Sequence, residues 1–355
     1  MIIFITNNNN NNDAFDFQSE EIKVFVRGAR EHKAVIIAAA TELGELQSLN
    51  DYDAQVDKRK TQHVYSDFNN RSNVNHMEDL IKDHGNLQEK AGFLSNDGSL
   101  AGAWIFNIPK ETHSKMTSSE FRIAMKLRLD IKFLTLADKC CCKNQTSICQ
   151  RGIHLFTCND FSNLFLMRHD AIQHTLKQLG IHGAINVIDS RLGQMMEEDG
   201  RKGDLLFKGQ GKNGRDLVVD ISVGTAFAQS YLHNSAYISK FVLDQLESNK
   251  NTKYKEGYRN IGVDFMPLTF EMHGQTSDTF IEFFKKLVTA AADTNNIHYC
   301  VMYNYWQKRI STTMQKYNAK IMNNAQKKIS RVAGMLRDGD VDLIDIVANE
   351  QHVNM

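Results

Sequence analysis

Apolar residues recur along this chain at two different spacings, and the change between them divides it. From Glu20 to about Leu136 the pattern is mostly helical: Val35, Ile36, Leu43 and Leu46 make one apolar face, and Met77, Leu80, Ile81 and Leu87 another. The polar stretch DYDAQVDKRKTQ separates the two. A helix is predicted over about 162–180, with Leu164, Ile172, Leu176 and Leu179 on its apolar side. The spacing then shortens: INVID (185–189), DLLF (204–207) and DLVVDISV (216–223) are short apolar runs parted by turn residues of the GKNG type, and they read as strands. A long helical stretch, about 226–258, leads to a further strand, VDFMPLTFE (263–271), and a helix from Thr279 to Ala292. A last helix is expected from Trp306 to Arg337, with Ile310, Met314, Tyr317, Ile321, Ile329 and Val332 near one side. Short strands alternating with helices predict an α/β domain with a mixed sheet.

The first 18 residues change this picture only at the margin. Asn7 to Asn12 is a homopolymer that buries too little surface to order itself, so 1–18 is expected to be a tail. With 355 residues, 42% of them hydrophobic, the chain can build two compact units plus tails. Lys+Arg and Asp+Glu both number 42, so no global basic field announces nucleic acid, and any such contact must come from a local patch. MIIFIT is apolar over six residues and lacks a basic lead, and the AVIIAAA run (34–40) is far short of the ~20 residues that span a bilayer. The expectation is an intracellular protein, nuclear or cytoplasmic, with no membrane partner.

Three groups of residues carry candidate chemistry. Asp204 and Asp220 sit in or against apolar strands, where two carboxylates are held rigidly; magnesium, or manganese in its place, needs only one or two carboxylates from a protein. Asp189, ending the preceding strand, is a possible third. Phosphodiester cleavage also wants a cation near the attacking water or departing oxygen. The place two residues past the second acid holds Ser222, so a lysine must come from the following helix, which offers Lys240, Lys250 and Lys253. The same acids also read as ordinary strand-end carboxylates.

Cys140, Cys142, His154 and Cys158 form the second group. Four N/S ligands in two pairs suit a tetrahedral zinc of structural rather than catalytic kind. Cys141 and Cys149 are spares for the first pair, and reduced half-buried cysteines are the plainer reading. The third group is basic: Lys308, Arg309, Lys316, Lys320, Lys327, Lys328 and Arg331 lie in a helix with no acid between Lys308 and Arg337. That is either a solvated face or a phosphate-binding one. His169, in MRHDAI, reads as a further ligand, a phosphate contact or a packing residue.

Taken in order, AGAWIFNIP (101–109), FRIAMKLRL (121–129), the Cys/His cluster, RHDAI (168–172), GDLLF, DLVVDISV, KNTKY (250–254) and DFMPLTFEMHG (264–274) resemble one kind of sequence. It is the C-terminal part of reverse-transcriptase polyproteins from non-long-terminal-repeat retroelements that carry a restriction-like endonuclease. The resemblance runs from about residue 30 to 290. It implies a helical arm over 19–138, a zinc knuckle over 139–160 and a restriction-endonuclease-like nuclease of the PD-(D/E)xK type over 161–292; the basic helical tail expected from the residues themselves, 293–355, follows it. It further implies that Cys140, Cys142, His154 and Cys158 hold zinc, that Asp204 and Asp220 hold magnesium, and that Lys250 or Lys253 supplies the basic residue. Asp189 stands near a position where relatives often have Glu. DNA, and retroelement RNA, are the implied partners. Two departures stand out. Gly203 replaces the proline before the first acid, which loosens the backbone there, and no polymerase aspartate pair precedes residue 101. Besides a DNA-nicking fragment, the sequence is compatible with a silent nuclease fold that only binds nucleic acid, or with an inactive remnant.

Overall fold

A computed structural model of the chain describes residues 74–108, 115–131, 139–149, 151–189 and 203–337, without the side chains of 333–337. The expected Asn-rich tail and the face built on Val35, Ile36, Leu43 and Leu46 lie outside these residues. Two compact units divide at His84/Gly85. In the first, residues 74–84 are helical, and Lys82 pairs with Glu78 one turn away.

The second unit carries every candidate site. Its elements are α1 (Leu87–Ser95), α2 (Ser118–Arg128), α3 (Ser162–His182), β1 (Val187–Asp189), β2 (Leu205–Phe207), β3 (Leu217–Gly224), α4 (Gln229–Ser235), α5 (Phe241–Asn260), β4 (Asp264–Glu271), α6 (Asp278–Asn295) and α7 (Tyr299–Arg337). Local signals set several starts. Asn86 and Glu89 close a capping box on α1, Thr117 and Glu120 do so on α2, and the Ser277 hydroxyl accepts from Phe280 N–H at α6.

The four strands form one mixed sheet in the order β1-β2-β3-β4. β1, β2 and β3 are antiparallel neighbours, and the β2–β3 connection turns through Asn213 and Gly214, both at positive φ. β3 and β4 run parallel, which demands a crossover, and α4 and α5 provide it. The stretch expected as one helix over 226–258 is therefore two, broken before Lys240, whose φ is 63°. Pro267 sits in β4, an edge strand, where a missing donor is tolerated.

Strand alternation sorts the faces. Leu205, Phe207, Leu217, Val219 and Ile221 face a core shared with Ile172 and Leu176 of α3, Phe280, Phe284 and Leu287 of α6, and Trp306, Ile310 and Met314 of α7. On the opposite face Leu206, Val218 and Phe265 meet Tyr254 and Tyr258 of α5. α7 begins at Tyr299 and is a structural member rather than an appendage: its C-terminal half buries Ala319, Ile321, Met322, Ala325 and Ile329 against α2 and the cysteine-rich segment. Arg168 of α3, buried with Glu271 of β4, donates to Asn318 of α7 at 2.8 Å. The chain is thus mixed α/β, with a four-stranded mixed sheet between helices.

Candidate metal centres and a basic helix face

Asp204 immediately precedes β2, and its N–H donates to the Val219 carbonyl at 2.8 Å, which brings it beside Asp220 on β3. Both residues are buried, at 8% and 5% exposure. Asp204 Oδ2 accepts from Ile221 N–H at 2.6 Å and lies 2.9 Å from His169 Nε2. One turn along the same helix, Gln173 Nε2 donates to the Asp204 carbonyl at 3.0 Å. Residues four apart on a helix share a face, so α3 grips both the side chain and the backbone of Asp204.

α5 does the same for the other acid. Lys250 Nζ pairs with Asp220 Oδ2 at 2.6 Å. Two turns on, the Tyr258 hydroxyl accepts from Gly203 N–H at 2.8 Å and so pins the residue before Asp204. Burial raises the Asp220 carboxyl above the ordinary value; Lys250 works against that, and the charge of Asp204 adds to it. For His169 burial alone would lower the imidazole, but the hydrogen bond and charge of Asp204, with Asp170 at 3.2 Å from Nδ1, outweigh burial and raise it.

Of the three candidate lysines, Lys240, Lys250 and Lys253, Lys250 reaches the acids. Lys253 is exposed and lies 5.0 Å over the Tyr254 ring, and Lys240 pairs with Asp278 at 2.6 Å. Asp189 opposes Leu205 on β1, sharing the face of Leu205, whereas Asp220 shares the face of Val218. His169, Gln173 and Tyr258 were not assigned roles at Asp204 by sequence reasoning. The only signal for them is the i,i+4 spacing of His169 with Gln173 and the i+8 spacing of Tyr258 with Lys250.

Gly203 is not the loosened position its composition suggests. A Cβ there would stand 2.3 Å from Val218 Cγ1 and 3.2 Å from the Val219 carbonyl, and a proline would also lack the N–H that Tyr258 holds. Close approach of the chain to β3, not a need for conformational freedom, requires glycine.

The second centre gathers Cys140, Cys142, His154 and Cys158, whose ligand atoms all lie within 4.8 Å of one another. A bridge between Lys139 and Ser147 and a turn from Cys142 to Gln145 fold the first pair back; Gly152, at φ 70°, leads into the short turn carrying His154. Cys140 Sγ is 3.9 Å from Cys158 Sγ, and Cys142 Sγ is 3.6 Å from His154 Nε2. A tetrahedron with zinc–sulfur bonds of about 2.3 Å and zinc–nitrogen bonds of about 2.0–2.1 Å has edges of about 3.8 Å and about 3.6 Å, which these two pairs match. The hydrogen bond to Cys141, then burial, raises the Cys140 thiol; burial first, with the neighbouring thiols, pushes Cys158 up to about 12. Burial lowers His154 and keeps it neutral, as a ligand must be. Protonated, crowded thiols are what a divalent ion would deprotonate on binding. This cluster of three cysteines and one histidine can hold a structural metal such as zinc. Cys141 and the exposed Cys149 stand outside it.

At about 100° per residue, Arg309, Lys316, Lys320, Lys327 and Arg331 fall within an arc of about 60° on α7, while Lys308 and Lys328 lie to its two sides. Arg309 donates to Gln178 and stacks 4.6 Å over Trp306; Lys320 lies 4.4 Å over Tyr317; Lys328 lies 5.9 Å over Phe161. Lys327 and Arg331 are exposed. Burial lowers Lys316.

Among the described residues no helix is long and apolar enough to cross a membrane. No protein-family model matches the chain, and no curated protein matches it.

Proposed function

We propose that the chain is a restriction-like endonuclease fragment of a non-long-terminal-repeat retroelement that nicks DNA with magnesium or manganese. The observation that carries this reading is the pair of buried acids, Asp204 and Asp220, side by side where the start of β2 meets the middle of β3, with Lys250 reaching in from a crossing helix. The burial that disfavours the charge of Asp220, beside a second buried carboxylate, fits a bound cation. When bound, the metal would polarise the phosphate and acidify an attacking water. Asp204 and Asp220 are its protein ligands, and Lys250, released from Asp220 toward solvent water, orients the nucleophile. Lys253, on the exposed side of α5, is assigned to phosphate contact. The mixed sheet flanked by helices supports the nuclease fold, and the Cys/His centre supports a zinc knuckle; knuckle and α7 position the DNA backbone. Incubation of supercoiled plasmid with the protein and Mg²⁺ or Mn²⁺ is expected to give nicked circles, with loss of at least about a hundredfold in Asp204→Ala and Asp220→Ala. Equal nicking by these variants and the parent protein would sink the reading.

One feature favours a second reading. Each acid already has a basic partner inside the protein, Lys250 for Asp220 and His169 for Asp204. A silent fold that only holds nucleic acid, DNA or retroelement RNA, through α7 needs nothing more. It requires salt-sensitive binding that survives Asp204→Ala, without nicking by the parent.

A further inference from the structure

The two oxygens of Asp204 are not equivalent. Oδ2 takes the Ile221 N–H and His169 Nε2, while Oδ1 has no hydrogen bond among the described residues and the side chain keeps 12% of its surface exposed. A carboxylate held by one bond can swivel; held by two donors from different elements, β3 and α3, it cannot. His169 is itself fixed: Nδ1 faces Asp170 Oδ1 at 3.2 Å, and the helix is anchored by the buried Ile172 and Leu176. With both ring nitrogens turned to carboxylates, His169 has none to offer an ion directly.

We propose that His169 is a positioning residue that ties Asp204 Oδ2 and so presents Oδ1 as the oxygen that binds the divalent cation. Gln173 assists by holding the Asp204 carbonyl from the same face of α3. The proposal rests on the metal-dependent reading given above. Carboxylate ligands that are hydrogen-bonded from outside bind better because their orientation is fixed before the ion arrives, and loss of such a partner typically weakens metal binding about 10–100-fold.

The test is Mn²⁺ binding to the full chain by calorimetry, alongside plasmid nicking and a thermal melt, for the parent, His169→Gln and His169→Asn. Gln places its amide near the position of Nε2 and keeps the bond to Asp204; Asn places it near Nδ1, keeps Asp170 and loses Asp204. A residue that only packs would not distinguish the two. Weakening of Mn²⁺ binding by about 10–100-fold in His169→Asn, with near-parental binding in His169→Gln, is the expected result. Equal Mn²⁺ affinity in both variants and the parent overturns the positioning role while leaving the nuclease reading intact. Absence of Mn²⁺ binding and of nicking in the parent overturns both. Should His169→Asn melt well below the parent, Gln173→Leu at the same face carries the comparison, with weaker Mn²⁺ binding expected and unchanged binding overturning the proposal.

Discussion

Tyr258 and Gly203 bear most directly on the geometry of the acids, because they fix where the chain enters β2. The Gly203 N–H is buried, and Tyr258 is its partner across 55 residues. Tyr258→Phe removes that hydrogen bond from a buried N–H, a loss of about 1–3 kcal/mol. Gly203→Ala forces a methyl into Val218 and costs a similar amount through overpacking, and Gly203→Pro costs more because it combines the clash with the lost N–H. Urea unfolding should order the variants parent, then Tyr258→Phe and Gly203→Ala, then Gly203→Pro; a proline variant as stable as the parent contradicts this packing. The sequence singled out Gly203 but could not show why it is there. A residue's local pattern carries its backbone freedom, not the side chain that will close over it from another element. For the same reason Asp204, Asp220 and Lys250 were visible as candidates, while His169 was left with three roles open.

Elements were more legible than their arrangement. The four strands lie within a residue or two of INVID, DLLF, DLVVDISV and VDFMPLTFE, since alternation and turn residues mark strands locally. Neither the parallel pairing of β3 with β4 nor the break at Lys240 leaves such a mark. The end of β4 shows what the pairing creates. Glu271, 1% exposed, accepts from Ala226 N–H at 3.0 Å and His273 N–H at 2.8 Å, with Arg168 nearby. Burial, only partly offset by these partners, pushes its carboxyl up to about 7 from 4.5. The folded state then holds a proton that the unfolded chain releases, so this group favours folding below about pH 4.5 and that contribution is lost as pH rises through about 7. The size is about 3 kcal/mol. Between about pH 5 and pH 8 the parent should lose more stability in urea than Glu271→Gln does; an equal or steeper loss in the variant would falsify the assignment.

At the scale of the molecule, the Cys/His centre and the basic face are not independent modules joined by a linker. Cys140, Cys142 and Cys158 share one core with Leu155, Phe156 and Phe161, with Ile123 and Leu127 of α2, and with Ala319, Met322, Ala325 and Ile329 of α7. The sequence showed a ligand set and a basic helix but not their common core, because residues 158 and 319 are joined only by packing. A metal that holds the four ligands together therefore holds the wall against which the second half of α7 rests, and that half carries Lys320, Lys327 and Arg331. Removing the ion leaves three thiols and an imidazole crowded without a common partner, and the local structure relaxes. Hydrogen exchange should then rise in 139–158 and in 319–332 together, while the amides of β3, whose core lies with α3 and α6, change little. On the proposed role of α7 in holding nucleic acid, binding to DNA should fall along with the exchange protection. Its salt dependence should flatten as well, since each phosphate that a lysine or arginine neutralises adds about 0.9 to the slope of log K against log salt. Chelation with a zinc-selective reagent, followed by both measurements on one sample, tests the coupling. Faster exchange confined to 139–158, with the α7 amides and the salt slope unchanged, shows the cluster to be a local fastening and removes it from the binding of nucleic acid.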